Sequence, residues 1–263
     1  MLRPLTALLW SPISRHDGPR QEPILSVELE DRVASGTITS SITEGIVRRF
    51  EGLAATRDRA LGEGRQITRL AANSVRATHR GQLDDAERLL AEARERMTTL
   101  AKELQPYPSI YWAGYVQDAM KEAAEAAITL AIVANRPLPE PAELGVEDAA
   151  YLNALAEAAS ELRRQTLDRL REDDLPRAEY LLGTMDDVYA ALVTVDFPDA
   201  ITGGLRRTTD ALRAVLERTR GDVTMAATQG RVERALREAL GAEIGLGTVS
   251  SGEDDATEPA PMG

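Results

Sequence analysis

Cysteine is absent from this chain of 263 residues, and that one absence removes the disulfide, the thiolate metal ligand and the thiol nucleophile together. Imidazole is nearly absent too, since His16 and His79 are the only histidines. Any bound metal is therefore expected to be a hard cation with oxygen ligands, Mg²⁺ or Mn²⁺. Aromatic residues make up 4% of the chain, which leaves few platforms for stacking bases. Lysine is scarce, with Lys102 and Lys121 standing beside 29 arginines. The net charge of −12 argues against binding nucleic acid over the whole surface, although a local arginine patch can still do so. Nowhere is there the run of about 18 apolar residues that a membrane span needs, and the apolar start "MLRPLTALLW" is too short for a secretory leader. These absences predict a soluble cytoplasmic protein with no membrane partner.

What is present is helical periodicity, almost without interruption. From Leu83, apolar residues recur at Ala86, Leu89, Leu90, Ala93, Met97, Leu100, Ala101 and Leu104, the stripe of an amphipathic helix stopped by Pro106 and Pro108. Similar stripes run through about 40–80, 109–135, 147–172, 175–194, 199–220 and 222–241, and no stretch reads as a strand. The expected class is all-α, a single bundle of about seven helices over residues 37–243. Residues 1–36 are expected to be a flexible extension, and residues 244–263 a polar, acidic, disordered tail.

Two groups of charged residues stand out. Arg65, Arg69, Arg76 and Arg80 fall within about 60° of one line on a helix, and only Glu63 is acidic between Asp58 and Gln82. Such a stripe is either a solvated face or a contact for a phosphate backbone. A second row, Arg206, Arg213 and Arg220, is interleaved with Asp210, Glu217 and Asp222 and reads as structural. His79 borders the first stripe, where packing or hydrogen bonding is the ordinary role of a lone histidine. The acidic group begins in "DAMKEAAEAAITLA", where Glu122 and Glu125 stand three apart and share a side with Asp118, Lys121 and Thr129. In "YLNALAEAASELRRQTLDRL", Glu157, Glu161, Arg164 and Asp168 lie opposite Leu152, Leu155, Ala159, Leu162, Thr166 and Leu170. By periodicity each acidic set is the polar face of an amphipathic helix. If the two faces meet, the carboxylates form a divalent-cation site.

The order "GRQIT…HRG", "KEAAEA", "ELGVEDAAYLNALAEAASELRRQTLDRLREDDLPRAEYLLGTMDDVYAAL" and "GGLRRTTDALRAVLERTRGDV" resembles the translin family, translin and translin-associated factor X, over about residues 40–235. The resemblance implies an all-α, seven-helix protomer in a hollow homo-oligomer, typically an octamer, that binds single-stranded RNA or DNA on its inner surface. The factor X branch is a Mg²⁺-dependent endoribonuclease. Its E-x-x-E pair falls on Glu122 and Glu125, its acidic residue four before a "GEL" glutamate on Glu157, and that glutamate on Glu161 in "SEL". Where the catalytic branch has aspartate, this chain has Glu157, longer by one methylene. The translin branch carries uncharged residues at the matching positions. The resemblance therefore implies Glu122, Glu125 and Glu157 as catalytic residues that, together with Glu161, are the expected metal ligands, and the spacing of Arg65, Arg69, Arg76 and Arg80 makes them the expected guide for the strand. Two other readings stay open: a non-catalytic single-strand-binding oligomer, and a helical structural protein with no nucleic-acid role.

Overall fold

The computed structural model describes residues 39–247. The extension expected over residues 1–36 lies outside the described residues, as do residues 248–263 of the tail expected from residue 244, whereas residues 244–247 are helical. Nine helices are present among them: α1 (Thr39–His79), α2 (Leu83–Leu104), α3 (Pro108–Tyr111), α4 (Gly114–Val133), α5 (Pro141–Leu144), α6 (Asp148–Arg171), α7 (Leu175–Leu192), α8 (Asp199–Thr202) and α9 (Leu205–Gly247). No strand occurs among the described residues, as the periodicity predicts. The two last stripes run on as one helix through Gly221, so six long helices are joined by three single-turn ones. None of the described helices is long and apolar enough to cross a membrane.

The chain divides into two units, residues 1–54 and 55–263. In the first, the described residues are helical and expose Ile42, Val47 and Phe50. The second holds every candidate site residue.

Local chemistry sets where the helices of the second unit start and stop. At the end of α1, Gly81 takes a left-handed conformation (φ 72°) and the Gln82 amide donates to the Ala77 carbonyl, closing the last turn. Helix α2 opens with Asp84 and Asp85 and ends with Lys102, each charge opposing the helix dipole. Glu140 and Glu143 form a reciprocal capping box on α5, and the Asp174 carboxylate caps α7 by accepting from the Arg177 amide.

Helix α6 lies at the centre, packed against α4, α7, α8 and α9. It is buried around most of its circumference, through Ala150, Ala154, Ala156, Ala158, Ala159, Leu162 and Thr166. A helix buried on several sides shows a weaker stripe than a surface helix does, which is why Leu152, Leu155 and Leu170 are only half-buried here. Helices α4 and α6 run parallel. The Tyr111 hydroxyl donates to Glu147 near their starts (2.8 Å), and the Arg177 guanidinium donates to the Ile132 and Val133 carbonyls beyond the end of α6 (3.3 and 2.9 Å). Helix α2 packs antiparallel to α1, with Arg59 on Glu103 (2.8 Å), Arg96 on Glu63 (2.9 Å) and the Ser74 hydroxyl donating to the Ala86 carbonyl (3.0 Å). Gly64 lets α1 come close to α4, because a Cβ there would sit 3.4 Å from the Tyr115 carbonyl oxygen.

Asn153 on α6 ties the centre to α8 and α9. Its amide donates to the Ala149 and Thr202 carbonyls, both at 2.8 Å, and its oxygen accepts from the Thr208 hydroxyl at 2.7 Å. Replacing Asn153 by Ala leaves the Thr202 carbonyl and the Thr208 hydroxyl without this partner. We expect a loss of about 1–3 kcal/mol in urea unfolding, and an unchanged midpoint would show that water replaces the amide at no cost.

Candidate functional site

Glu122 and Glu125 project from one side of α4, and Glu157 reaches them from α6. All three are half-buried. Each offers one carboxylate oxygen, and these oxygens all lie within 4.8 Å of one another. The two faces that periodicity leaves as ordinary polar surface are therefore turned towards each other. Lys121 lies between them, its Nζ 3.3 Å from Glu122 Oε1 and hydrogen-bonded to Glu157 Oε2. Asp118 is exposed and stands outside the cluster, and Asp168 faces Arg171 at 3.8 Å instead.

One turn beyond Glu157, Glu161 is held from another helix. His79 Nε2 lies 2.9 Å from Glu161 Oε2, and Gln165 Nε2 lies 3.0 Å from His79 Nδ1. The imidazole is almost fully buried, at 2% exposure. His79 thus has the hydrogen-bonding role expected of it. Gln165 escapes a reading of the sequence, although its place one turn after Glu161 puts it on the same face.

The electrostatics follow from the crowding. Burial, and then the charges of Glu122, Glu157 and Glu161, push the Glu125 carboxyl up to about 8, with Lys121 opposing. Glu161 behaves in the opposite way: the hydrogen bond from His79 outweighs its burial and, with the charge of Arg164, holds it below the ordinary carboxylate range. Burial alone would lower Lys121, but its hydrogen bond and attraction to Glu157, with Glu122 adding to them, raise it. Thr129, one turn beyond Glu125, belongs to the interior, and its buried Oγ1 has no hydrogen-bond partner among the described residues.

The donor set suits a hard divalent cation. It consists of carboxylate oxygens alone, and their spacing is close to twice the Mg–O distance of about 2.1 Å, so small side-chain rotations bring all three onto one ion. A cation there would also relieve the repulsion that keeps a proton on Glu125.

Arg65, Arg69, Arg76 and Arg80 are all exposed on α1, and none of them makes an ion pair among the described residues. Arg76 donates only to Asn73 (2.6 Å) and Arg80 only to Gln82 (2.6 Å). The ridge ends one residue from His79. Beside it lies an open polar cavity of about 710 Å³, lined by Thr78, His79, Arg80, Gln165, Arg169 and Arg177 among others. In the later row, Arg206 pairs with Asp196, and Arg220 with Asp186 and Glu217, as the interleaved acids lead one to expect.

No family model matches the chain. It is similar, at 30% identity over 171 residues, to the uncharacterized protein MJ0175 of Methanocaldococcus jannaschii, covering 64% of this chain and 75% of that protein. Among solved structures it resembles AfC3PO at 33% identity, covering 71% of this chain and 97% of that one, with TM-scores of 0.67 for its complex with duplex RNA and 0.66 for AfC3PO itself. Apo-NeC3PO shares the fold at 17% identity, with a TM-score of 0.64 over 70% of this chain and 96% of that one. With the helices, their order and 33% identity over nearly the whole of AfC3PO in agreement, this chain belongs to the translin (C3PO) family.

Proposed function

We propose that the protein is a Mg²⁺-dependent endoribonuclease of the translin-associated factor X type, which binds RNA and acts as a hollow homo-oligomer. The observation that carries this reading is the meeting of Glu122, Glu125 and Glu157 from two helices, with Lys121 as their only ion-pair partner among the described residues. A bound Mg²⁺ or Mn²⁺ would supply Lewis acidity towards a phosphodiester oxygen and make water a better nucleophile. The chain's own part is to hold three oxygens in place, to give up the proton kept on Glu125, and to draw Lys121 away from Glu157. The arginine ridge supplies positive charge for the phosphate backbone in a chain that is otherwise acidic. AfC3PO is known in complex with duplex RNA, so both single and double strands belong in the test. Self-association is supported by Met225, Val232, Leu236 and Leu240, which are more than half exposed on α9.

The second reading, a non-catalytic binder of single-stranded RNA or DNA, is favoured by the ion pair between Lys121 and Glu157, because lysine there neutralises the site without a metal. Cleavage of end-labelled RNA with Mg²⁺ and with EDTA separates the two. Nuclease action requires cleavage with Mg²⁺ alone, and Glu125→Ala should slow it by about a hundredfold or more while RNA binding persists. Binding without cleavage under any condition would establish the second reading.

Two further outcomes follow. Because Glu125 binds its proton up to about pH 8 in the folded protein and only to about 4.5 when unfolded, the folded state without metal holds the extra proton between these values. That contribution to stability is complete below 4.5 and is lost as pH rises towards 8. In EDTA, the urea midpoint of the wild type should therefore fall over this window more than that of Glu125→Gln, whereas Mn²⁺ binding should tighten over the same window. Parallel midpoint curves would remove Glu125 as the proton holder. On the ridge, Arg69→Ala and Arg76→Ala should each weaken binding of single-stranded RNA and reduce the slope of log affinity against log salt by about 0.7. Unchanged slopes would place the RNA elsewhere.

A further inference from the structure

The end of α1 enters α6 through one buried side chain, His79, and both of its ring nitrogens are occupied. With the Gln165 amide nitrogen 3.0 Å from Nδ1, Nδ1 accepts from that amide, and the Nε2–H donates to Glu161 Oε2 at 2.9 Å. Gln165 is itself 95% buried, and its side chain is held in the same interior. A histidine needed only for packing could sit with one nitrogen free, or with its polar atoms turned to the neighbouring cavity. Here the whole polar capacity of the ring is spent on aligning a carboxylate one turn from Glu157. Glu157 and Glu161, four residues apart on α6, stand on the same face. Glu161 is near enough to the three-carboxylate cluster for its charge to bear on Glu125.

We propose that Gln165, through His79, orients Glu161 beside the cluster, so that divalent-cation binding by Glu122, Glu125 and Glu157 depends on a hydrogen-bonded relay running from α6 to the end of α1 and back to α6. The inference rests on the metal reading given above and adds two positioning residues to it, neither of which touches the ion or the substrate. The relay explains why the last turn of α1 is closed so firmly: Gly81 and the Gln82 amide fix the helix end that carries His79. It also joins the site to the ridge, because Arg80 follows His79 directly. Side chains at metal sites are commonly held in register by outer-shell hydrogen bonds, and losing such a partner costs about 10–100-fold in metal affinity.

The test is Mn²⁺ affinity by calorimetry on the full-length protein, with thermal unfolding as the check on folding, for the wild type, Glu125→Ala, His79→Leu, His79→Gln and Gln165→Leu. Glu125→Ala should abolish binding. His79→Leu and Gln165→Leu should weaken it by about 10–100-fold, and His79→Gln, whose amide nitrogen can still donate to Glu161, should recover most of the loss. Should His79→Leu fail to fold, Gln165→Leu carries the same expectation with the imidazole in place. A second readout needs no metal: ¹⁵N spectra of the histidines, of which the chain has only two, should show a protonated Nε2 and a hydrogen-bonded, acceptor Nδ1 for His79 in the wild type, with the Nδ1 resonance shifted in Gln165→Leu. Binding that is lost in Glu125→Ala but unchanged in a folded Gln165→Leu protein overturns the relay and leaves the metal site standing. A wild type that binds no Mn²⁺ overturns both.

Discussion

The close approach of α4 to α6 is the constraint on which the rest of the structure depends. Both helices bury short side chains on several faces, Ala119, Ala123, Ala124 and Ala126 on one and Ala150, Ala154, Ala156, Ala158 and Ala159 on the other. Small side chains let the backbones approach, and the approach carries the flanking carboxylates with it. Glu122 and Glu125 then share a half-buried space with Glu157, where like charges repel far more than they would in water. The molecule meets this cost in two ways. Lys121 places one ammonium between Glu122 and Glu157, and Glu125 keeps its proton well above the ordinary range. A site that costs this much in its resting form gains most from a cation of higher charge.

The final turn of α1 divides two tasks between neighbouring residues. His79 points inward and is spent on Glu161, whereas Arg80 points to solvent and ends the exposed ridge. A positive ridge beside an acidic cluster, in a chain of net charge −12, makes sense for a polyanionic ligand: the ridge draws it in, and the acidic cluster resists it until a cation neutralises the carboxylates. In the proposed function this couples metal and RNA through charge. Membership of the translin family agrees with that arrangement, and the departure at Glu157 is absorbed locally, since the longer side chain still brings an oxygen to the other two.

Much of the fold was legible because a helix writes its buried face into the sequence at intervals of three and four. The stripe from Leu83 to Leu104 is the clearest case, with Ala86, Ala93, Met97, Leu100 and Leu104 buried as their spacing requires. The break read at Gly221 was not real. A glycine within a helix costs only about 1 kcal/mol, and Leu216, Thr219 and Val223, buried on either side of it, hold α9 continuous. On α6 the periodicity was least informative, since burial on several sides leaves half-polar faces that look like surface. Thr129 was misjudged and Gln165 passed over for the same reason: a polar residue on a helix gives no sign of whether it faces water or another helix.

By itself the sequence determined the helical class, the absence of any thiolate metal ligand, the alignment of the four arginines along one line and the pairing of Glu122 with Glu125 on one face. Each of these is set by residues within a few turns of one another, where helix geometry leaves little freedom. Only the tertiary structure decided that Glu157 meets that pair, that Lys121 lies between them and that His79 holds Glu161. These contacts join residues 36 and 82 positions apart, and they depend on how far each helix is rotated about its axis, a quantity that the packing of the whole bundle settles.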